Sequence, residues 1–375
     1  MRPSLAMPTQ RIRRRADDIS AVQVPRVRLT ARDFTKAFLF AERAWALLPF
    51  AALVALLAGV CCAHEVRRGA VTGPTHTVYA GRFRFDLPEG FEMTGQDSTV
   101  RGVSVVVVDL PPDVPLEQAR AAYWQKHLDE VRETLKLDDL PLAIEEGEAR
   151  PGMPQAFHRA RTDLDWTMET LLYDGPRTVL LKKDWRDHYD AKQVAAFHAL
   201  SLQRFKEAVA AFHFLPTGVA PNPEWFYVPG GALAFPPVTG DRDAHEYLIV
   251  GFVHKRTGLK IDVTSTFPWD GYDAEKRGLL ARLATAAIEW KMNIETLRSG
   301  GRTVAGLKGD EVLLRSKGEK SVSFGWAFEP EPNDHGYQPK VVIDVETEDE
   351  NLEEKVNAWD QFLSVVHFLP PTRAR

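Results

Sequence analysis

The side chains able to do chemistry in this chain are carboxylates and histidines, and none stands in a recognised catalytic spacing. Neither a G-x-S-x-G nucleophile elbow, a P-loop nor a G-x-G-x-x-G turn occurs. The only cysteines, Cys61 and Cys62, are adjacent. Thiol catalysis, Cys-bound metal and a disulfide framework are therefore excluded from everything downstream. Nine histidines follow His76 without ligand spacing, and His245-Glu246 lacks the second histidine of a zincin helix. Carboxylates are paired at Asp138-Asp139, Glu145-Glu146 and Asp310-Glu311. Hydrolysis by two carboxylates needs both to face one cleft, one of them held protonated by burial. In an acidic chain such pairs are expected on a solvated face instead. The residues therefore read as those of a binding protein that is not an enzyme and uses no cofactor and no metal. A periplasmic hydrolase working through acidic residues is the weaker alternative.

Two histidines recur. Phe205 to Pro216 reads FKEAVAAFHFLP, and Trp359 to Pro370 reads WDQFLSVVHFLP, so His-Phe-Leu-Pro returns at an offset of 154 residues. The apolar positions upstream stay in phase: Phe205 with Trp359, Val209 with Leu363, Phe212 with Val366. Each histidine is expected at the end of an amphipathic helix, packed there or offsetting the helix dipole.

The elements around them fall in the same order twice. In the first half, Arg82 to Leu87 and Gly102 to Leu110 read as strands. A helix is expected over 116–136, with Trp124, Leu128, Val131 and Leu135 on one face. Thr178 to Lys182 reads as a strand, and a helix over 191–212 closes the half. In the second half, Leu259, Ile261 and Val263 alternate as a half-buried strand. Leu280, Leu283, Ala287 and Trp290 form a helical stripe. Val322, Phe324, Trp326 and Phe328 alternate strictly, and Val341 to Val345 adds another strand. Leu352, Val356, Trp359, Leu363 and Val366 stripe the last helix. Ala143 to His158 has no readable period. The expected fold is α+β: two related domains, each a largely antiparallel sheet with helices packed on one face. The division follows Pro216, Pro221 and Pro223, giving domains at 64–216 and 224–375 with a Pro-rich linker at 217–223.

Residues 44–63, AWALLPFAALVALLAGVCCA, carry no charge and match the ~20 residues of a membrane-spanning helix. A basic arm, 1–43, precedes them, and the positive-inside tendency sends 64–375 outward. A cleaved signal peptide, a retained inner-membrane anchor and a lipoprotein all fit. Ala58-Gly59-Val60-Cys61 resembles a lipobox, with Val60 bulkier than the usual Gly, Ala or Ser. The expected location is the periplasm. Residues 64–375 hold 37 basic and 48 acidic side chains, a net of −11. That field opposes nucleic acid and favours a basic partner surface.

A more specific pattern lies in the second half. Leu297-Arg298-Ser-Gly-Gly301-Arg302-Thr-Val304 runs into Gly306-Leu-Lys-Gly309-Asp310-Glu311. Phe324 and Trp326 follow, then Val341 to Glu346 and Trp359-Asp360. This order resembles the C-terminal domain of the immunity proteins that neutralise type VI secretion lipase effectors. Gly81-Arg-Phe-Arg-Phe-Asp86-Leu-Pro88 resembles the start of that family's N-terminal domain. Taken by themselves, these residues read as scaffold, with Gly300-Gly301 and Gly306 at tight turns and Asp310-Glu311 at a hairpin corner. The resemblance implies a stoichiometric antagonist whose partner is a cognate type VI lipase effector, held by blocking its active site or lid. An envelope lipoprotein or scaffold for another protein is the alternative. Exposed aromatics on long polar loops are the candidate contact residues. They are Trp269, Asp270 and Tyr272 on one loop, and Glu331, Asp334, His335 and Tyr337 on another.

Overall fold

The computed structural model describes residues 75–160, 162, 164–186, 191–215, 222–235, 246–267, 294–316, 318, 320–330 and 338–370. The first half opens with the hairpin β1 (Thr75–Ala80) and β2 (Phe83–Pro88), followed by β3 (Phe91–Val100) and β4 (Val103–Val107). Helix α1 (Leu116–Leu137) then leads into the meander β5 (Ile144–Arg150), β6 (Met153–Ala160), β7 (Asp165–Asp174) and β8 (Arg177–Arg186). Helix α2 (Ala191–Ala211) and the short strand β9 (Phe212–Phe214) close the half. The second half repeats this order. Its hairpin is β10 (Phe226–Val228) and β11 (Gly231–Leu233), followed by β12 (Glu246–His254) and β13 (Leu259–Thr266). The meander is β14 (Ile294–Val304), β15 (Leu307–Ser316), β16 (Ser321–Phe328) and β17 (Lys340–Glu348), closed by α3 (Leu352–Ser364) and β18 (Val366–Phe368). The helix expected near 280–290 lies outside the described residues, as does the apolar segment 44–63. No helix among the described residues is long and apolar enough to cross a membrane.

Period-two patterning builds the strands. β2 buries Phe83, Phe85 and Leu87 and turns Arg84 and Asp86 toward solvent, while β16 buries Val322, Phe324 and Trp326. Helix α3 buries Lys355, Ala358, Trp359, Phe362 and Leu363, the i, i+3, i+4, i+7, i+8 stripe of an amphipathic helix. Each large ring fully buried this way contributes about 2–3 kcal/mol.

Twelve strands pair antiparallel in one sheet, in the order β14-β15-β16-β17-β13-β12-β3-β4-β8-β7-β6-β5. The halves meet where β3 pairs with β12, from Phe91↔His254 to Val100↔Glu246. A Cβ at Gly251 in this seam would come within 2.7 Å of Thr94 Oγ1, so a larger residue there would have to turn the exposed Thr94 side chain aside.

Two three-stranded sheets cross between the halves. β18, from the end of the second half, pairs with β2. β9, from the end of the first, pairs with β11. Each opening hairpin is thus completed by the closing strand of the other half. The repeated His-Phe, His213-Phe214 and His367-Phe368, lies in these closing strands, not at helix ends as its amphipathic lead-in suggests.

One hydrophobic core runs under both halves, from Val179 and Phe205 through Phe85 and Phe252 to Trp359 and Phe362. A second cluster lies on the other face of the first-half sheet, where Trp124 and Leu128 of α1 pack on Ala156, Leu171 and Leu180. Helices therefore cover both faces, which corrects the one-face expectation. Strand residues alternate between the two clusters here, Ala156 with Phe157 and Leu171 with Leu172, so both faces are apolar.

Candidate functional site

The residues that carried the family resemblance converge on one ionic network. Arg298 and Arg302 both rise from β14, Glu311 from β15, and Trp359 and Asp360 from α3. Glu311 Oε1 accepts hydrogen bonds from Arg298 Nη2 at 2.9 Å, Arg302 Nη1 at 2.7 Å and Trp359 Nε1 at 2.8 Å. Asp360 receives both terminal nitrogens of Arg298, at 3.0 and 2.8 Å, and Arg302 Nη1 at 2.5 Å. Burial pushes the Asp360 carboxyl up, but the two guanidiniums outweigh it and hold it below the usual carboxylate range. Glu311 is buried in mid-strand, so it is neither at a hairpin corner nor on a solvated face. The corner of β14–β15 is Ala305-Gly306, where Gly306 has φ +82°, while Gly300 and Gly301 lie within β14. The network bolts α3 to the edge of the sheet.

Two other polar clusters lie inside, and a third sits half-exposed on the outer face of the second-half sheet. Arg82, at the two-residue turn of the β1–β2 hairpin, is 1% exposed. Its guanidinium donates to Glu246 Oε2 at 2.7 Å and Oε1 at 2.5 Å, to the Pro223 carbonyl at 3.1 Å and to the Phe235 carbonyl at 2.9 Å. It ties the first hairpin to the start of the second half. In the first half, Glu169 Oε1 accepts from His127 Nε2 at 2.7 Å and His158 Nε2 at 3.2 Å. Burial pushes the Glu169 carboxyl up, yet the two imidazoles outweigh it and hold it at about 2. Both histidines share one carboxylate oxygen, which makes a hydrogen-bond cluster. No group of His, Cys, Asp or Glu among the described residues could hold a metal ion. Asp262 on β13 and Asp344 on β17 are register partners. Burial, with Asp262 and Glu346 alongside, pushes Asp344 up to about 7.

The candidate contact residues Trp269, Asp270, Tyr272, Glu331, Asp334, His335 and Tyr337 lie outside the described residues. Their loops nevertheless begin side by side. Thr266 at the end of β13 pairs with Lys340 of β17, and Phe328 at the end of β16 pairs with Val341. Lys340 Nζ also holds Glu329 at 2.9 Å, closing the root of the second loop. Phe267, first residue of the other loop, is 4% exposed beneath the Arg82 guanidinium. Sequence reasoning missed the convergence of the Arg–Glu–Asp network, because its members lie up to 62 residues apart.

Fold and interior together define an α+β protein with one continuous antiparallel sheet, its element order duplicated. Residues 229–364 match the family model of the Tle cognate immunity protein 4 C-terminal domain. The second half therefore carries that immunity-protein domain, as its motif order implied. The fold is similar to that of the immunity protein TplEi of the T6SS from Pseudomonas aeruginosa. For its complex with the "L" peptide the TM-score is 0.57 at 16% identity, covering 79% of this chain and 99% of that one. For apo TplEi the score is 0.59, again at 16% identity, over 80% and 98%. A chain of the Tle4–Tli4 complex is similar with a TM-score of 0.60 and 16% identity, over 80% of this chain and 99% of its own. At that identity the likeness shows a shared fold. No curated protein matches the chain.

Proposed function

We propose that this protein is a periplasmic immunity protein that binds a cognate type VI lipase effector and neutralises it stoichiometrically, without catalysis of its own. The match of residues 229–364 to the immunity-domain model carries this reading. It is supported by likeness over four-fifths of the chain to solved immunity proteins, one of them from a Tle4–Tli4 complex. The uncharged run 44–63 and its basic flank support delivery to the inner membrane's outer side, where a phospholipase would act. The net −11 of residues 64–375 supports fast capture of a basic surface. A complex of this kind buries about 1,600 Å² or more. We place one contact face on the two loops that begin at Phe267 and Glu329, since their roots are neighbours at one end of the sheet.

The test is co-expression. The cognate type VI lipase, directed to the periplasm, should kill cells lacking this protein and spare cells that make it, and the two should co-purify. Killing despite this protein, with no complex in a pull-down, would overturn the proposal. Lipid or glycan cleavage by purified residues 64–375 alone would overturn the non-enzyme reading.

A further inference from the structure

Strand β5 closes the first-half end of the sheet and pairs with β6 alone among the described residues. A free strand edge offers unpaired backbone donors and acceptors, and charged side chains, lysine above all, or proline ordinarily keep chance partners away from it. Here the strand reads IEEGEAR, with three carboxylates and one cation. The cation is turned away: Arg150 donates to the Val209 and Phe212 carbonyls where α2 ends. Glu146 meets Arg132 of α1 at 3.1 Å, whereas Glu145 and Glu148 have no ion-pair partner among the described residues.

Beside this edge lies an open trough of about 460 Å³. Phe157, Trp166 and Met168 form its sheet side, His198 and Leu202 of α2 its other wall, and Glu145 and Gly147 its rim. The rings are fixed in place: Phe157 stacks on Trp166 at 4.6 Å, and His198 meets both edge-on at 5.2–5.3 Å. Ala195 and Ala199, one turn from Leu202 and His198 on the same side of α2, are exposed beside the trough.

A free ladder, an aromatic-walled trough and an acidic rim fit one ligand together: an extended peptide segment bearing lysine or arginine. The acidic rim repels anionic lipid and nucleic acid. We propose that β5 and its trough receive such a segment of the protein partner, which joins the sheet as a further strand. The assignment rests on the immunity reading and names a second place where the lipase is held, apart from the loops at Phe267 and Glu329. Side chains of β5 alternate, Glu146 and Glu148 toward the α1 face, Glu145 and Gly147 toward the trough. The incoming strand should therefore carry basic residues facing Glu146 and Glu148, and an apolar residue over Gly147. A side chain would find open space at Gly147, with no atom within 4 Å of its Cβ.

Calorimetric titration of the full-length chain with its purified cognate lipase tests this. The variant Glu146→Lys/Glu148→Lys should bind about tenfold or more weakly. Ala199→Glu should also weaken binding, and Glu133→Lys on the exposed side of α1 should leave it unchanged. Glu133, Glu146, Glu148 and Ala199 are all exposed, and the one ion pair lost, Glu146 with Arg132, is a surface pair, so melting temperatures should stay within a few degrees of the parent value. Hydrogen exchange on the parent complex supplies a readout free of mutation: amides of 144–150 should gain protection when the lipase binds. Parent-like affinity in the variants, without that protection, overturns the edge assignment and leaves the immunity reading standing. Failure of the parent protein to bind the lipase overturns both. Self-association of the parent that Glu146→Lys/Glu148→Lys abolishes would give the edge to a second copy and overturn the partner assignment.

Discussion

Arg82 is a cation with no water to solvate it, so its neighbours must replace water completely. Glu246 and two backbone carbonyls do so. Replacing Arg82 with methionine fills the volume but strands the Glu246 carboxylate in the core. Arg82→Met should cost about 3–5 kcal/mol in urea unfolding, and adding Glu246→Leu should recover most of that loss. Equal losses in the single and double variants would show that packing, not charge, is what Arg82 contributes. Asp344 makes the opposite case, a carboxyl whose folded value of about 7 lies well above the ordinary 3.8. A raised carboxyl stabilises the fold while protonated, fully below about pH 4, and that contribution fades as pH rises toward 7. Asp344→Asn keeps the shape without the charge. It should flatten the fall in melting temperature between pH 5 and 8 and melt higher than the parent at pH 8. Neither residue's state was legible in the sequence. In the sequence Arg82 reads as a strand residue and Asp344 as part of an apolar run, because burial and cross-strand neighbours belong to tertiary structure.

The elements with one buried face were legible and the others were not. β2, β13, β16 and β17 alternate cleanly, and α1 and α3 carry helical stripes, because each has core on one side and solvent on the other. β3 and β5 failed that reading. β3 holds a polar stretch, Glu92 to Asp97, mostly at the surface, and β5 is an exposed edge, so no period of two develops. β9 and β18 were misread for another reason: three residues after a long amphipathic helix continue its stripe by chance, and only pairing reveals the strand. The exchange has a consequence at this scale. β18 belongs to the second half in sequence but supplies the third strand over β2, with Phe368 5.5 Å from Phe83. Ending the chain at Val365 should therefore deprotect Phe83–Pro88 in hydrogen exchange, some 280 residues away, before it loosens α3. Faster exchange confined to residues near 365 would contradict the pairing.

At the scale of the molecule, a duplicated sequence has produced one body and not two beads. The twelve-stranded sheet runs through the β3–β12 seam, the core continues beneath it, and each small sheet borrows a strand across the middle. A hinge between the halves would have to break the seam and both exchanged strands at once. The protein should therefore meet its partner as a preformed rigid surface, with little ordering cost on binding. The same interlock predicts how the chain comes apart. With a protease site placed between Leu215 and Asn222 and then cut, the two fragments should still elute together, because neither small sheet is complete within one fragment. Urea should unfold the cut protein in a single transition, with fluorescence from the first-half Trp185 and the second-half Trp359 changing together. Fragments that separate on a sizing column, or two resolved transitions, would mean that the halves fold independently and that the exchanged strands contribute little to holding them together.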